Sequence, residues 1–146
     1  MAVQRGPRGR IRTVMLATDL TAISDEATSQ AIDMAACLAA RLLVMNVIEP
    51  AAVAGGAASR RIDQLRAERE PPLLELVARA RARGVEATYL LWAGEPGRSI
   101  VAASEAEQAD LIVVGTRGLD HAGRWMMGSV SDHVVYHARM PVMVAR

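Results

Sequence analysis

The chain has 146 residues, 51% of them hydrophobic, and a net charge of +1, values that describe one domain with a proper core and exclude a disordered chain. All 17 cationic side chains are Arg, so a P-loop, a protein kinase and Schiff-base chemistry, each of which needs a lysine, are excluded. Arg5, Arg8, Arg10 and Arg12 crowd the N-terminus and the rest is slightly acidic, which leaves no broad basic face for nucleic acid.

The opening MAVQRGPRGR has no apolar segment of the kind a signal peptide needs, and no run approaches the roughly 20 apolar residues of a membrane span. A cytoplasmic protein with no membrane partner is expected, with residues 1–10 a flexible Arg- and Gly-rich tail and 11–146 the domain. TVMLATD (13–19) is short, apolar and followed by polar residues, as in a buried strand. Thr21, Ser24, Asp25 and Glu26 then offer capping hydroxyls and first-turn acids, and Ala27, Ala31, Met34, Ala35 and Leu38 recur at helical spacing as far as Arg41. The lone Cys37 falls in that helix; it has no disulfide partner, suits a reducing compartment, and reads as a buried structural thiol.

LLVMNVIE (42–49) is the second strand, and PAAVAGGAAS after it reads as a mobile loop. Arg60 to Arg69 suits a short exposed helix, and Pro71 with Pro72 fits the first turn of another that ends at Gly84. VEATYLLW (85–92) alternates like a strand, AGEPG turns, Ser99 to Gln108 is helical, and DLIVVG (110–115) is the clearest buried strand. A last helix over Ser129 to His137 and a strand VMVA (142–145) follow. Apolar strands alternating with amphipathic helices mean a parallel sheet covered on both faces: a single-domain, three-layer α/β/α fold, doubly wound. If the first and fourth strands are the central neighbours, the order is 3-2-1-4-5 and Asp19 and Gly115 border one crevice, where such folds bind ligands.

Between the fourth strand and the last helix lies GTRGLDHAGRWMMGS (115–129). Such a segment presents free backbone N–H groups and the positive end of a helix dipole, which suits a phosphate; glycines at 115, 118 and 128 let backbone approach it, and Ser129 adds a hydroxyl. Arg117 and Arg124 flank this cradle as candidate phosphate contacts, a role otherwise left to a divalent ion such as Mg²⁺. His121 is a candidate acid or base near a terminal phosphate. His133 and His137 share a helix face, but no HExxH context or nearby Cys completes a metal site. Asp19 lacks the acidic neighbour and lysine of a receiver domain, and ATDLTAISD has no glycine of a dinucleotide fingerprint. No nucleophile with a positioned general base is present, so fast turnover is not expected.

Gly115, two residues, Gly118, nine residues, then Gly128 and Ser129 resembles the GxxG, nine residues, G(S/T) signature of the ATP-binding branch of the universal stress protein family. ATDLT (17–21), NVIE (46–49), ADLIVVGTRG (109–118) and HARMPVMV (137–144) are similar to that family's other characteristic stretches, so the likeness spans about residues 12–146. The resemblance implies a stress-response protein that binds ATP or another adenine nucleotide, with Asp19 and the backbone of Val47 at the adenine and ribose end. Gly115, Gly118, Gly128, Ser129 and Val130 would then surround ribose and phosphates. It also implies a homodimer through Val142 to Ala145, whose apolar edge is otherwise an exposed pairing template. A slow ATPase or self-phosphorylating protein, with Ser129 or Thr116 as acceptor, a ligand-free dimeric scaffold, and a cyclic nucleotide in place of ATP remain open alternatives.

Overall fold

The computed structural model describes residues 9–50, 58–116 and 128–146. Residues 1–8, most of the Gly-Ala loop, and Arg117, Gly118, His121 and Arg124 lie outside the described residues. Five strands, β1 (Thr13–Ala17), β2 (Arg41–Ile48), β3 (Ala87–Ala93), β4 (Leu111–Gly115) and β5 (Val142–Ala145), form one parallel sheet in the order β3-β2-β1-β4-β5. Four helices alternate with them: α1 (Asp25–Leu38), α2 (Ala58–Ala82), α3 (Pro96–Ala106) and α4 (Ser129–His137).

The pleat sorts the apolar strand residues into two cores, because successive side chains point to opposite faces. Val14, Leu16, Leu42, Val44 and Val113 pack with Ala31 and Ala35 of α1 and Leu73, Val77 and Ala80 of α2. Met15, Leu43, Met45, Ile112 and Val114 pack with Ile100 and Ala103 of α3 and Val134 of α4. The small alanines of α1 let that helix lie close to the central strands. The three layers and the strand order are those expected from the apolar runs.

Several element boundaries differ from the expectation. The predicted pair of helices after β2 is one continuous helix, α2, with Pro71 and Pro72 inside it. Those prolines cannot donate to the carbonyls of Ala67 and Glu68, and interior proline normally breaks a helix. Here the segment below them is held by the burial of Leu73, Val77 and Ala80. The segment above is tied to the sheet by Arg66 Nη1, which donates to the Leu91 carbonyl (3.0 Å), and by Arg69. Helix α1 stops at Leu38 rather than Arg41, since Ala39 turns left-handed with φ 50° and Arg41 is already paired in β2. Helix α3 begins at Pro96, three residues before the expected Ser99, because the Glu95 carboxylate accepts from the N–H groups of Gly97 (3.0 Å) and Arg98 (2.8 Å) and caps it. Cys37 is exposed rather than buried: it lies on the solvent side of α1, where the core-facing positions are Ala31 and Ala35.

The two sheet edges differ. Leu42 N–H donates to the Glu86 carbonyl, so on β3 the alternate carbonyls of Ala87, Tyr89 and Leu91 face away from β2. Arg81 Nη2 caps Ala87 (2.9 Å) and Arg66 Nη1 caps Leu91, both reaching from α2. On β5 the Pro141 and Ala145 carbonyls accept from β4 and its following turn, which leaves the backbone of Val142 and Val144 facing outward. Among the described residues nothing caps these.

Candidate functional site

The cleft is made where β1 ends before its neighbour does. The β1–β2 ladder stops at Ala17 opposite Met45, closed by the Thr18 N–H on the Met45 carbonyl (3.0 Å), while β2 runs on to Ile48. Val47 has the same strand parity as Met45, so its N–H and C=O project past the end of β1 instead of pairing with it. The next rung of the ladder is diverted, because Asn46 Nδ2 takes the Thr18 carbonyl (2.7 Å). Asn46 is 2% exposed, and its Oδ1 accepts from Arg69 Nη1 (2.7 Å). The same Nη1 donates to the Val47 carbonyl (2.9 Å).

These groups line a cleft of about 280 Å³ at the carboxyl ends of β1, β2 and β4. Its floor is Ala17, Thr18, Met45 and Val114, and one wall is Leu65 and Arg69 of α2. The opposite wall is Ile100 of α3 with Gly128, Val130 and Ser131 at the start of α4. Of the residues chosen from sequence, Asp19, Val47, Gly115, Gly128 and Val130 all face this cleft. Ser129 does not: it is exposed at the first position of α4, and the hydroxyl that lines the cleft is that of buried Ser131, which donates to the Gly128 carbonyl (3.0 Å).

Gly128 is the N-cap of α4 with φ −71°, an angle open to any residue, so nothing in its backbone demands glycine. A Cβ at Gly115 would meet Ala27 Cβ at 3.6 Å, ordinary contact. Neither position is glycine for the sake of backbone strain at 128 or of crowding by the protein at 115, a pattern that leaves room for a ligand to approach main chain.

Asp19 Oδ1 accepts from the Thr21 N–H (3.0 Å) and hydroxyl (2.6 Å). Partial burial pushes its carboxyl up, but the hydrogen bonds from Thr21 and Ser24 outweigh this and hold it below the ordinary aspartate value. It is therefore a fixed anion at neutral pH, suited to accept from hydroxyl groups. Thr21 and Ser24 thus serve the turn after β1 rather than capping α1: Ser24 Oγ bonds the Thr21 carbonyl (2.8 Å) and pairs with Thr18 Oγ1 (2.9 Å). Leu20 adopts φ 64° in this turn, an uncommon conformation for a bulky residue and one that recurs at functional sites.

The sequence reading missed Asn46 and Arg69. An amide inside the apolar run LLVMNVI was a usable signal, since a buried polar group must find partners. Arg69 had none, because it reaches the cleft only if the helix continues through two prolines. On α4, His133 and His137 stack with ring centroids 4.0 Å apart, outside the cleft lining. No group of three or more His, Cys, Asp or Glu among the described residues could hold a metal ion, and no described helix is long and apolar enough to cross a membrane.

The Universal stress protein family model matches residues 10–146. The chain belongs to the universal stress protein family. A universal stress protein of Thermus aquaticus, named for its place in the QAH/OAS sulfhydrylase 3′ region, is 36% identical over 142 residues, covering 92% of this chain and 98% of that one. A solved universal stress protein from Archaeoglobus fulgidus is 25% identical with a TM-score of 0.77, covering 92% of this chain and 98% of its own. Another universal stress protein, crystallised in complex with cAMP, is 26% identical with a TM-score of 0.73 over 94% of this chain and 98% of that one. Each of these three proteins is matched along 98% of its own length.

Proposed function

We propose that this protein is a nucleotide-responsive stress regulator that holds an adenine nucleotide, ATP in the first instance, in the cleft between β1 and β4. The observation that carries the reading is the meeting of Asp19, Val47, Gly115, Gly128 and Val130 at one cleft that also has the N-terminus of α4 in its wall. The Val47 N–H, with the Val47 carbonyl that Arg69 also holds, matches the acceptor and donor edge of adenine. Asp19 suits ribose hydroxyls, and the α4 N-terminus suits phosphate. The neighbour in complex with cAMP supports an adenine nucleotide and keeps a cyclic one as the variant of this reading.

Arg117 and Gly118 belong to the proposed cradle on the glycine spacing of the sequence alone, since they lie outside the described residues. Mg²⁺ would be held by phosphate oxygens and water with few protein ligands. Slow self-phosphorylation is the second reading, and Thr116 is favoured over Ser129 as acceptor because Thr116 lines the cleft and Ser129 does not. Assembly as a homodimer through β5 is supported by the contrast between the open β5 edge and the arginine-capped β3 edge.

The test is to denature the purified protein and identify released nucleotide by mass spectrometry, beside Gly128→Ala, followed by titration with ATP and Mg²⁺. Adenine nucleotide released by the parent and absent from the variant is expected. No release together with no titration response would defeat the reading and leave a ligand-free scaffold.

A further inference from the structure

Arg69 is the one described cation that lines the cleft, and its position bears on the base rather than on the phosphates. It approaches from α2, on the Val47 side, and its Nη1 already donates to the Val47 carbonyl at 2.9 Å. That placement is built in: Asn46 Oδ1 holds the same nitrogen at 2.7 Å, and Asn46, buried, is itself anchored on the Thr18 carbonyl. Among the described residues no carboxylate lies within ion-pair distance of Arg69. The guanidinium therefore brings positive charge and further N–H donors to the wall beside Val47.

We infer that Arg69 is a specificity-determining residue that narrows the preference of this cleft for 6-amino over 6-oxo purines. The inference rests on the nucleotide reading above. A 6-amino group is a donor that needs the Val47 carbonyl, and it must share or displace the charge-assisted hydrogen bond from Arg69. A 6-oxo group is an acceptor, which the Val47 carbonyl repels but the guanidinium can hold. Without Arg69 the Val47 edge offers one donor and one acceptor, the pattern that adenine matches and hypoxanthine does not.

ATP and ITP differ in this group and in the protonation of the adjacent ring nitrogen, so they are the probes. Their affinities are measured by calorimetric titration with the parent, Arg69→Met and Arg69→Gln, with melting curves to show that each variant is folded. The ATP-to-ITP affinity ratio is expected to rise about tenfold in Arg69→Met, and in the same direction in Arg69→Gln. A purely structural role would lower both affinities together. A ratio within threefold of the parent in both variants overturns the inference while leaving nucleotide binding intact. Failure of the parent to bind either nucleotide removes the nucleotide reading, and this inference with it.

Discussion

Asn46 and Thr18 are joined across the end of the β1–β2 ladder by a 2.7 Å hydrogen bond from the Asn46 amide to the Thr18 carbonyl, and this bond separates the sheet from the cleft. It satisfies the last carbonyl of the ladder with a side chain, which releases the Val47 N–H for use elsewhere. Asn46→Leu should therefore lower stability by about 1–3 kcal/mol, because it strands a buried carbonyl and removes the seat of Arg69. Urea unfolding measures this. A change under about 0.5 kcal/mol would show that the bridge is dispensable.

Gly97 lies against His133 so closely that a Cβ at 97 would meet the His133 ring at 2.8 and 2.9 Å and its Cβ at 3.0 Å. Gly97→Ala should destabilise by about 1–3 kcal/mol despite the better helix propensity of Ala. In the Gly97→Ala, His133→Ala double variant most of that loss should be regained, since the ring is the main obstacle. A double-mutant cycle with no coupling between the two positions would contradict the packing described.

Gly115→Ala separates fold from ligand. The nearest protein atoms leave ordinary contact distances to the new methyl, so the melting temperature of the free protein should be nearly unchanged. The affinity for ATP should fall at least about tenfold if ribose or phosphate sits against this main chain, a loss of roughly 1.4 kcal/mol. Full affinity in a normally folded variant would place the nucleotide elsewhere.

Acid should weaken the fold through Glu95 and Asp19. The amide of Arg98, with that of Gly97, holds Glu95 below its ordinary value of 4.5 and outweighs the opposing effect of burial. Asp19, despite partial desolvation, lies below its ordinary 3.8 through its hydrogen bonds to Thr21 and Ser24. For a carboxyl depressed in the folded state, the contribution is complete above its unfolded pKa and is lost as pH falls through the folded value. Stability should thus fall below about pH 4.5, and Glu95→Ala should cost about 1 kcal/mol at pH 7 as a lost cap and flatten the acid limb. Melting curves from pH 7 to pH 3 check both. An unchanged acid slope in the variant would show that Glu95 contributes little to it.

Val144→Pro tests the open edge. Proline at 144 deletes an outward N–H and leaves intact the β4-facing carbonyls of Pro141 and Ala145. Light scattering should show a dimer for the parent and a monomer for the variant. A dimer that persists in the variant would mean that the copies meet on another surface.

The apolar runs by themselves determined the strands, their order of appearance and the two-sided burial, because a parallel sheet covered on both faces writes itself as continuous Val, Ile and Leu. The glycine spacing, with Asp19 and Val47, was likewise readable and pointed to five residues that the fold brings to one cleft. Tertiary structure alone decided the rest. Pro71 and Pro72 argued locally for two helices, yet packing of Leu73, Val77 and Ala80 below them and arginine bonds above them give one. Glu95 started α3 early through a cap made by a longer side chain than those usually chosen. Arg69 came to the cleft only because α2 crosses β2 at that point, a relation between residues 23 apart that no local pattern encodes.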